Sequence, residues 1–129
     1  MILVIGGAYS GKLEFVKETY GIGKEDIFYC NDRNLDFSKK VISGLHRFTY
    51  ENSVYGKDPL EIIRDNLKLL QDKIVICDDI SCGIVPLKKE ERVWRESTGR
   101  CLQLLSKEAS IVYRIFYGIP TVLKESKEE

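Results

Sequence analysis

Apolar residues along this chain follow two patterns, which alternate from the first residue to about residue 123. Short unbroken apolar runs predict buried strands, whereas apolar residues that recur every three or four positions predict amphipathic helices. The unbroken runs predict strands at residues 2–5, 26–30, 73–77 and 110–117, with a further short strand at 121–123. The wider spacing predicts helices at residues 13–20, 38–48, 58–70 and about 88–107.

The segment that begins at Ser38 is predicted to be a helix, because serine suits an N-cap and regularly spaced apolar residues follow it. Those residues are Val41, Ile42, Leu45 and Phe48. Residues 50–56 are predicted to be a frayed helix end or a loop. The next helix has a clear start, since residues 58–61 read Asp-Pro-Leu-Glu, an acidic cap followed by a proline at the first helical position.

The break after the first predicted strand has the spacing of a phosphate-binding loop. Residues 6–12 read Gly-Gly-Ala-Tyr-Ser-Gly-Lys, which is G-x-x-x-x-G-K between a strand and a helix. In such a loop, backbone N–H groups face an anion, and the lysine adds a positive charge for the β- and γ-phosphates. A glycine-rich turn that binds nothing is the alternative. The residues predicted to bind nucleotide are Gly6, Gly7, Ala8, Tyr9, Ser10, Gly11, Lys12 and Leu13.

The alternation of strands and helices predicts an α/β fold, in which a parallel sheet is covered by helices on both faces. With the loop after its first strand, the chain is predicted to be a P-loop NTPase-like three-layer sandwich with a small, mostly parallel sheet. We expect one nucleotide-binding domain over residues 1–124 and a charged tail at 125–129. The segments that follow the first three strands should converge at the carboxyl edge of the sheet, where ligands bind in such folds.

Composition narrows the classes of partner. The chain has 20 basic and 20 acidic residues, so it carries no net field to attract nucleic acid or an anionic membrane. No apolar run approaches the roughly 18 residues of a membrane span, and the first residues lack the basic region of a signal peptide. We therefore expect a cytoplasmic protein that binds neither nucleic acid nor membrane.

The four cysteines do not suggest a zinc site, because no C-x-x-C pair is present and the chain has only one histidine. Cys30 and Cys77 lie in apolar runs, where a thiol behaves as a small hydrophobic group. Buried structural thiols are the interpretation we favour, and reactive thiols are the alternative.

Two acidic residues, Asp78 and Asp79, follow the third predicted strand. An acidic residue at this place holds Mg²⁺ in enzymes with a phosphate-binding loop. Two carboxylates that only cap the next turn would give the same sequence, so both interpretations stay open. Leu13 stands where such a loop has a serine or threonine that binds the metal. Asp78 and Asp79 are the candidate metal ligands, with ATP or GTP and Mg²⁺ as cofactors.

His46 is the only histidine, and it lies at the border of the apolar stripe of its predicted helix. A boundary residue is one interpretation, and a nucleophile or acid–base group that reaches the phosphates is the other. The basic residues Arg92, Arg95 and Arg100 alternate with glutamates on the last helix. This spacing is typical of a solvated, ion-paired face, with one arginine that contacts a phosphate as the alternative.

The phosphate-binding loop and three further stretches resemble the adenosylcobinamide kinase/adenosylcobinamide-phosphate guanylyltransferase family. The three stretches are Gly83-Ile84-Val85-Pro86, then Arg95-Glu96 with Gly99-Arg100 and Gln103, then residues 112–124 with Gly118-Ile119-Pro120. Members of that family phosphorylate a hydroxyl on a corrinoid side chain with ATP or GTP. They then transfer GMP to the product through a guanylylated histidine, in the later steps of cobalamin synthesis.

The resemblance implies roles for particular residues. Asp36 and His46 look like the family's acid and its nucleophilic histidine, and Asp78-Asp79 resemble the acidic or amide pair ahead of the G-I-V-P turn. Lys12 and His46 are therefore the candidate catalytic residues. The resemblance implies an adenosylcobinamide kinase, with guanylyl transfer as a second activity, that acts on a small-molecule corrinoid.

Two other functions stay open. Leu13 and a short segment between His46 and Asp78 favour a protein of the same fold that binds nucleotide without turnover. A kinase for an unrelated small alcohol is the third possibility. We also expect that the chain forms a homo-oligomer.

Overall fold

A computed structural model describes residues 1–80 and 88–126 of the chain. Within these residues, six strands form one sheet in the order β2-β3-β4-β1-β5-β6. The first five strands are parallel, and β6 is antiparallel to β5. The strands are β1 (Ile2–Gly6), β2 (Ile27–Tyr29), β3 (Val41–Ser43), β4 (Ile74–Asp78), β5 (Ile111–Phe116) and β6 (Ile119–Glu125).

Helices pack on both faces of this sheet. The helices are α1 (Lys12–Tyr20), α2 (Leu45–Tyr55), α3 (Pro59–Asp65), α4 (Leu67–Leu70) and α5 (Lys89–Glu108), with a short 3₁₀ turn at Lys24–Asp26. Successive residues of a strand point to opposite faces. Val4 accordingly packs in a cluster with Val16 of α1, and Leu3 packs in a second cluster with Phe48 of α2 and Leu105 of α5. The predicted α/β class with a mostly parallel sheet is therefore confirmed.

The helix predicted at residues 38–48 is wrong in its first half, where the chain forms β3. Val41 and Ile42 are both fully buried, but Val41 belongs to the α1-side cluster and Ile42 to the opposite cluster. A strand that is buried on both faces gives adjacent apolar residues, which fit a helical spacing equally well. Gly44, with φ of 80°, separates β3 from α2.

The frayed helix end or loop predicted at residues 50–56 is also wrong, because α2 continues to Tyr55 and ends at Gly56 with φ of 89°. The start of the next helix is as predicted, since Asp58 Oδ1 accepts a hydrogen bond from the Leu60 N–H at 3.0 Å. That helix is interrupted at Asn66, which separates α3 from α4.

The last strand is longer than predicted. β6 includes Lys124 and Glu125, and the Ser126 N–H donates to the Ser110 carbonyl at 2.7 Å. The rest of the predicted tail, residues 127–129, lies outside the described residues, as do Cys82 and the G-I-V-P stretch at 83–86. In the part of the chain that is described, no helix has the length and apolar character needed to cross a bilayer.

The cysteines that the structure describes are buried free thiols, as favoured from the sequence. Cys30, Cys77 and Cys101 share the core cluster under α2 and α5. Burial raises the pKa of Cys30 and of Cys101 to about 12, and it raises that of Cys77 as well. These thiols therefore serve as core packing.

The order of the strands creates a crevice at the carboxyl edge of the sheet. β1 lies between β4 and β5, and the helix that follows β1 packs on one face. The next described helix after β4 is α5, which packs on the other face. Where neighbouring strands lead to opposite faces, their loops diverge and leave room for a ligand. The ends of β1 and β4 border this crevice.

Candidate functional site

The turn between β1 and α1 depends on two glycines. A Cβ atom on Gly6 would lie 2.5 Å from the Ile115 carbonyl oxygen and 2.8 Å from Ser10 Oγ. Gly11 has φ of 90°, in the left-handed region that favours glycine. Within the turn, the Ser10 N–H donates to the Gly7 carbonyl at 3.3 Å. The result is a compact turn that leads from the strand directly into the helix.

The first backbone N–H groups of α1 adjoin this turn. The helical hydrogen bonds begin with the Phe15 N–H, which donates to the Gly11 carbonyl at 3.0 Å. The N–H groups of residues 12–14 precede that bond and so have no partner within the helix. Together with the helix dipole, they favour an anion at this end of α1.

Lys12 folds back across the turn. Its Nζ donates to the Gly7 carbonyl at 2.6 Å and forms an ion pair with Asp78 Oδ1 at 2.7 Å. The side chain is only 8% exposed, so these contacts replace most of the hydration of the ammonium group. The loop lysine and the acid at the end of β4 therefore meet directly, although 66 positions separate them in the sequence (78 − 12).

Asp78 reaches this position through the register of β1 and β4, in which Gly6 is paired with Asp78. Asp79 begins the next segment, and its N–H donates to the Gly6 carbonyl at 2.8 Å. Asp79 lines a different, larger cavity. Only one of the two predicted metal ligands therefore lines the pocket beside the loop.

His46 contacts Asp78 through both ring nitrogens. Its Nδ1 accepts a hydrogen bond from the Asp78 N–H at 3.1 Å, and its Nε2 lies 3.5 Å from Asp78 Oδ2. Burial lowers the pKa of His46, with Lys12 and Arg47 acting in the same direction and Asp78 in the opposite one. Because Nδ1 accepts, the neutral ring carries its proton on Nε2, which faces the Asp78 carboxylate.

A second layer of polar contacts supports the backbone of His46. The Trp94 Nε1–H on α5 lies 3.0 Å from the His46 carbonyl and 3.1 Å from Thr49 Oγ1. Thr49 Oγ1 in turn lies 2.7 Å from Thr98 Oγ1 in the core. Trp94, Thr49 and Thr98 were not among the predicted site residues, and only their helical spacing is visible in the sequence.

Residues 9–13 of the loop thus line one pocket of about 190 Å³ together with His46 and Asp78, whereas the predicted residues Gly6, Gly7 and Ala8 are not part of its wall. Leu13 also lines it, but packs against the α1-side core cluster as well. Tyr9 does not fill the loop, since its side chain is fully exposed. Asp36 is not part of the pocket wall, and its Oδ1 accepts from the Ser38 N–H at 2.8 Å.

A larger cavity of about 1050 Å³ lies on the α5 side of Asp79. Its apolar wall includes Leu60 and Leu102, and five of the other described lining residues are basic. The basic residues are Arg64, Arg95, Arg100, Lys107 and Lys124. Arg100 also forms the exposed ion pair that the charge spacing predicts, with its Nη2 2.7 Å from Glu96 Oε1.

A metal ion at the small pocket would have few protein ligands. Among the described residues there is no group of three or more histidine, cysteine or acidic side chains suited to a metal. Mg²⁺ does not need such a group, because it commonly binds one or two carboxylates together with phosphate oxygens and water. Asp78 fits that requirement, since its carboxylate lies at the pocket wall.

The chain was compared with protein-family models and with curated proteins. No family model matches it, and no curated protein is similar to it. The resemblance described above therefore depends on the sequence motifs themselves.

The lowered pKa of His46 predicts how stability depends on pH. Below about pH 6.5 the unfolded chain takes up a proton that the folded chain resists, so the free energy of unfolding decreases as the pH falls. We expect a lower Tm at about pH 5.5 than at about pH 7.5, with a smaller difference in His46→Asn. Asparagine is the matched variant, because its Oδ1 can accept the Asp78 N–H. Equal differences in both proteins would contradict this assignment.

Proposed function

We propose that the protein binds the phosphates of ATP or GTP in the loop formed by residues 6–13 and transfers a phosphoryl group to a small-molecule hydroxyl. The observation that carries this proposal is the contact between Lys12 Nζ and Asp78 Oδ1 at 2.7 Å. This contact joins Lys12, the lysine of the predicted phosphate-binding loop, to Asp78, the last residue of the neighbouring parallel strand β4. The central β1, flanked by β4 and β5, suits a P-loop NTPase-like sandwich.

The residues of the pocket would have separate roles. Lys12 would exchange its contact with Asp78 for the β- and γ-phosphates, while the N–H groups at the start of α1 bind phosphate oxygens. Asp78, released from the lysine, would hold Mg²⁺, which neutralises charge on the phosphates when it is bound. Phosphoryl transfer depends mainly on positioning and on stabilisation of charge, which these groups supply.

The acceptor is proposed to be the corrinoid adenosylcobinamide, which would make the protein an enzyme of cobalamin biosynthesis. The motif resemblance supports this choice. The cavity of about 1050 Å³ adjoins Asp79, one residue from Asp78, and offers both apolar and basic walls. A large, amphipathic acceptor would fit such a space, with its hydroxyl directed towards the loop.

His46 is the proposed nucleophile of a second activity, guanylyl transfer. Its Nε2 would attack the α-phosphorus of GTP from the tautomer that carries the ring proton on Nδ1, because only an unprotonated Nε2 has a free lone pair. That tautomer gives up the hydrogen bond from the Asp78 N–H, and the Asp78 carboxylate, with Oδ2 3.5 Å from Nε2, would balance the positive charge of the guanylylated ring. An N–P bond would form, the bond to the β-phosphate oxygen would break, and pyrophosphate would leave. GTP labelled at the α-phosphorus would then leave label on the wild-type protein and none on His46→Asn.

A second candidate is a nucleotide-binding protein of the same fold without turnover, and Leu13 favours it. Leu13 offers no oxygen to a metal, and its side chain packs against the core. An assay of ATP with adenosylcobinamide separates the two candidates. Formation of adenosylcobinamide phosphate supports the kinase, whereas nucleotide binding without product supports the second candidate.

Titration of ATP and GTP with and without Mg²⁺ tests the binding proposal directly. We expect wild-type protein to bind triphosphate with a weaker dependence on Mg²⁺ than Leu13→Ser, because serine restores a hydroxyl ligand. Isothermal titration calorimetry measures both affinities. A strong and equal Mg²⁺ dependence in the two proteins would contradict the role assigned to residue 13, and absence of any binding would contradict the proposal itself.

A further inference from the structure

Two tyrosines near the phosphate-binding loop have an unusual backbone conformation. Among the described residues, Tyr9 and Tyr117 are the non-glycine residues with positive φ, at 58° and 49°. Their side chains are 104% and 81% exposed, so burial does not compensate for this conformation. A left-handed backbone is unfavourable for a non-glycine residue, and such residues concentrate at functional sites.

The turns that carry these tyrosines are joined by a hydrogen bond. Tyr117 and Gly118 form the two-residue turn between β5 and β6, and both have positive φ. The Gly118 N–H donates to the Ser10 carbonyl at 2.7 Å. Tyr9 immediately precedes Ser10, and Tyr117 immediately precedes Gly118. The β5–β6 turn and the phosphate-binding loop therefore form one surface.

The residue preferences of this type of turn do not explain a tyrosine at residue 117. Two-residue turns with positive φ at both positions favour asparagine or aspartate followed by glycine. Tyr117 instead presents an aromatic ring to solvent, and the ring of Phe116 packs edge-on against it with centroids 4.5 Å apart. The two rings therefore form an exposed aromatic patch at the turn that bonds to the loop.

The aromatic patch and the charged pair Lys12–Asp78 lie on opposite sides of β1. Asp78 lies at the end of β4, on one side of β1, whereas the β5–β6 turn lies on the other side. Under the proposed function, the terminal phosphates and the metal would lie on the β4 side, where Lys12 and Asp78 meet. The nucleoside would then extend away from these charges, towards Tyr9 and Tyr117.

We propose that Tyr9 and Tyr117 form a stacking surface for the nucleobase of the triphosphate whose phosphates occupy the loop. This inference rests on the proposed function and adds the site that holds the base. An aromatic ring stacks on any base, because every base has a π-face. The surface therefore accepts adenine and guanine alike, and the protein binds ATP and GTP with similar affinity.

Comparison of a nucleotide with inorganic tripolyphosphate tests this assignment by calorimetry. We expect Tyr117→Ala to weaken ATP and GTP binding by about 10-fold and to leave tripolyphosphate binding unchanged. Tyr9→Ala should act in the same direction, and Tyr117→Phe should keep the wild-type affinity because the ring remains. Tyr29→Ala is the matched control, since Tyr29 is a half-exposed tyrosine on β2 at the opposite edge of the sheet.

The outcomes separate this inference from the proposal on which it rests. If wild-type protein binds neither ATP nor tripolyphosphate, both are overturned. If tripolyphosphate binds but the alanine variants leave ATP affinity unchanged, or weaken both ligands equally, only the stacking surface is overturned. Thermal melts of each variant show whether a loss of affinity reflects a loss of folding, and retained binding by Tyr117→Phe supports the ring itself as the contact.

Discussion

Replacing Lys12 with methionine is expected to weaken triphosphate binding by about 100-fold. A hydrogen bond to a charged group contributes about 1.5–3 kcal/mol. The Lys12 ammonium is the proposed partner of the β- and γ-phosphates, so its loss removes at least one such bond. Methionine keeps most of the length of the side chain but has no charge. Lys17→Met is the control, because Lys17 lies in the last turn of the same helix and its loss changes the net charge equally.

A substitution at Asp78, the partner of Lys12, is expected to have the opposite effect. In the free protein Asp78 pairs with Lys12, and near a bound polyphosphate its carboxylate repels the ligand unless a metal lies between them. Asp78→Asn is therefore expected to strengthen triphosphate binding in the absence of Mg²⁺ and to weaken the effect of added Mg²⁺. If Asp78→Asn and Lys12→Met both weaken Mg²⁺-free binding, the ion pair does not compete with the ligand as proposed.

Replacing Gly6 with alanine is expected to lower the free energy of unfolding by about 1–3 kcal/mol, the usual cost of an overpacked site. The new Cβ would meet the Ile115 carbonyl oxygen at 2.5 Å, and a backbone atom of the neighbouring strand cannot rotate away. It would also displace the Ser10 hydroxyl inside the turn. We expect triphosphate binding to decrease together with stability, because the same turn holds the amides.

Gly7 is a matched control for this change. A Cβ atom on Gly7 has no atom within 4 Å, and its backbone is not in the left-handed region. Gly7→Ala should therefore keep nearly the wild-type stability, as measured by urea unfolding. Wild-type stability of Gly6→Ala would show that the turn tolerates the Gly6 Cβ, and an equal loss in both variants would show that the loss does not come from the contact with Ile115.

A strand, turn or helix was predictable wherever neighbouring residues favoured only one type of secondary structure. The apolar run of β1, the glycines and lysine that follow it, and the capped start of α3 were all read from neighbouring residues. Local spacing was ambiguous at residues 41–43, since Val41 and Ile42 are buried against opposite faces of the sheet. Which element forms there depends on the strands on either side, β2 and β4.

The site was predictable in part for a similar reason. Asp78 and Asp79 could be named together, but successive side chains along an extended chain point in opposite directions. Asp78 accordingly lines the pocket beside the loop, and Asp79 lines the larger cavity. The sequence showed that the two side chains would point in opposite directions. It did not show which of them would face the loop.

The sequence by itself determined the α/β class, the turn after β1 and the identity of the candidate side chains, because each of these depends on residues close together in the chain. Only the tertiary structure decided that Lys12, His46 and Asp78 meet, and that the β5–β6 turn bonds to the loop of residues 6–13. Those contacts join residues that are 32 to 108 positions apart, such as His46 with Asp78 and Ser10 with Gly118 (118 − 10). They follow from the strand order β4-β1-β5, which the packing of the whole sheet selects.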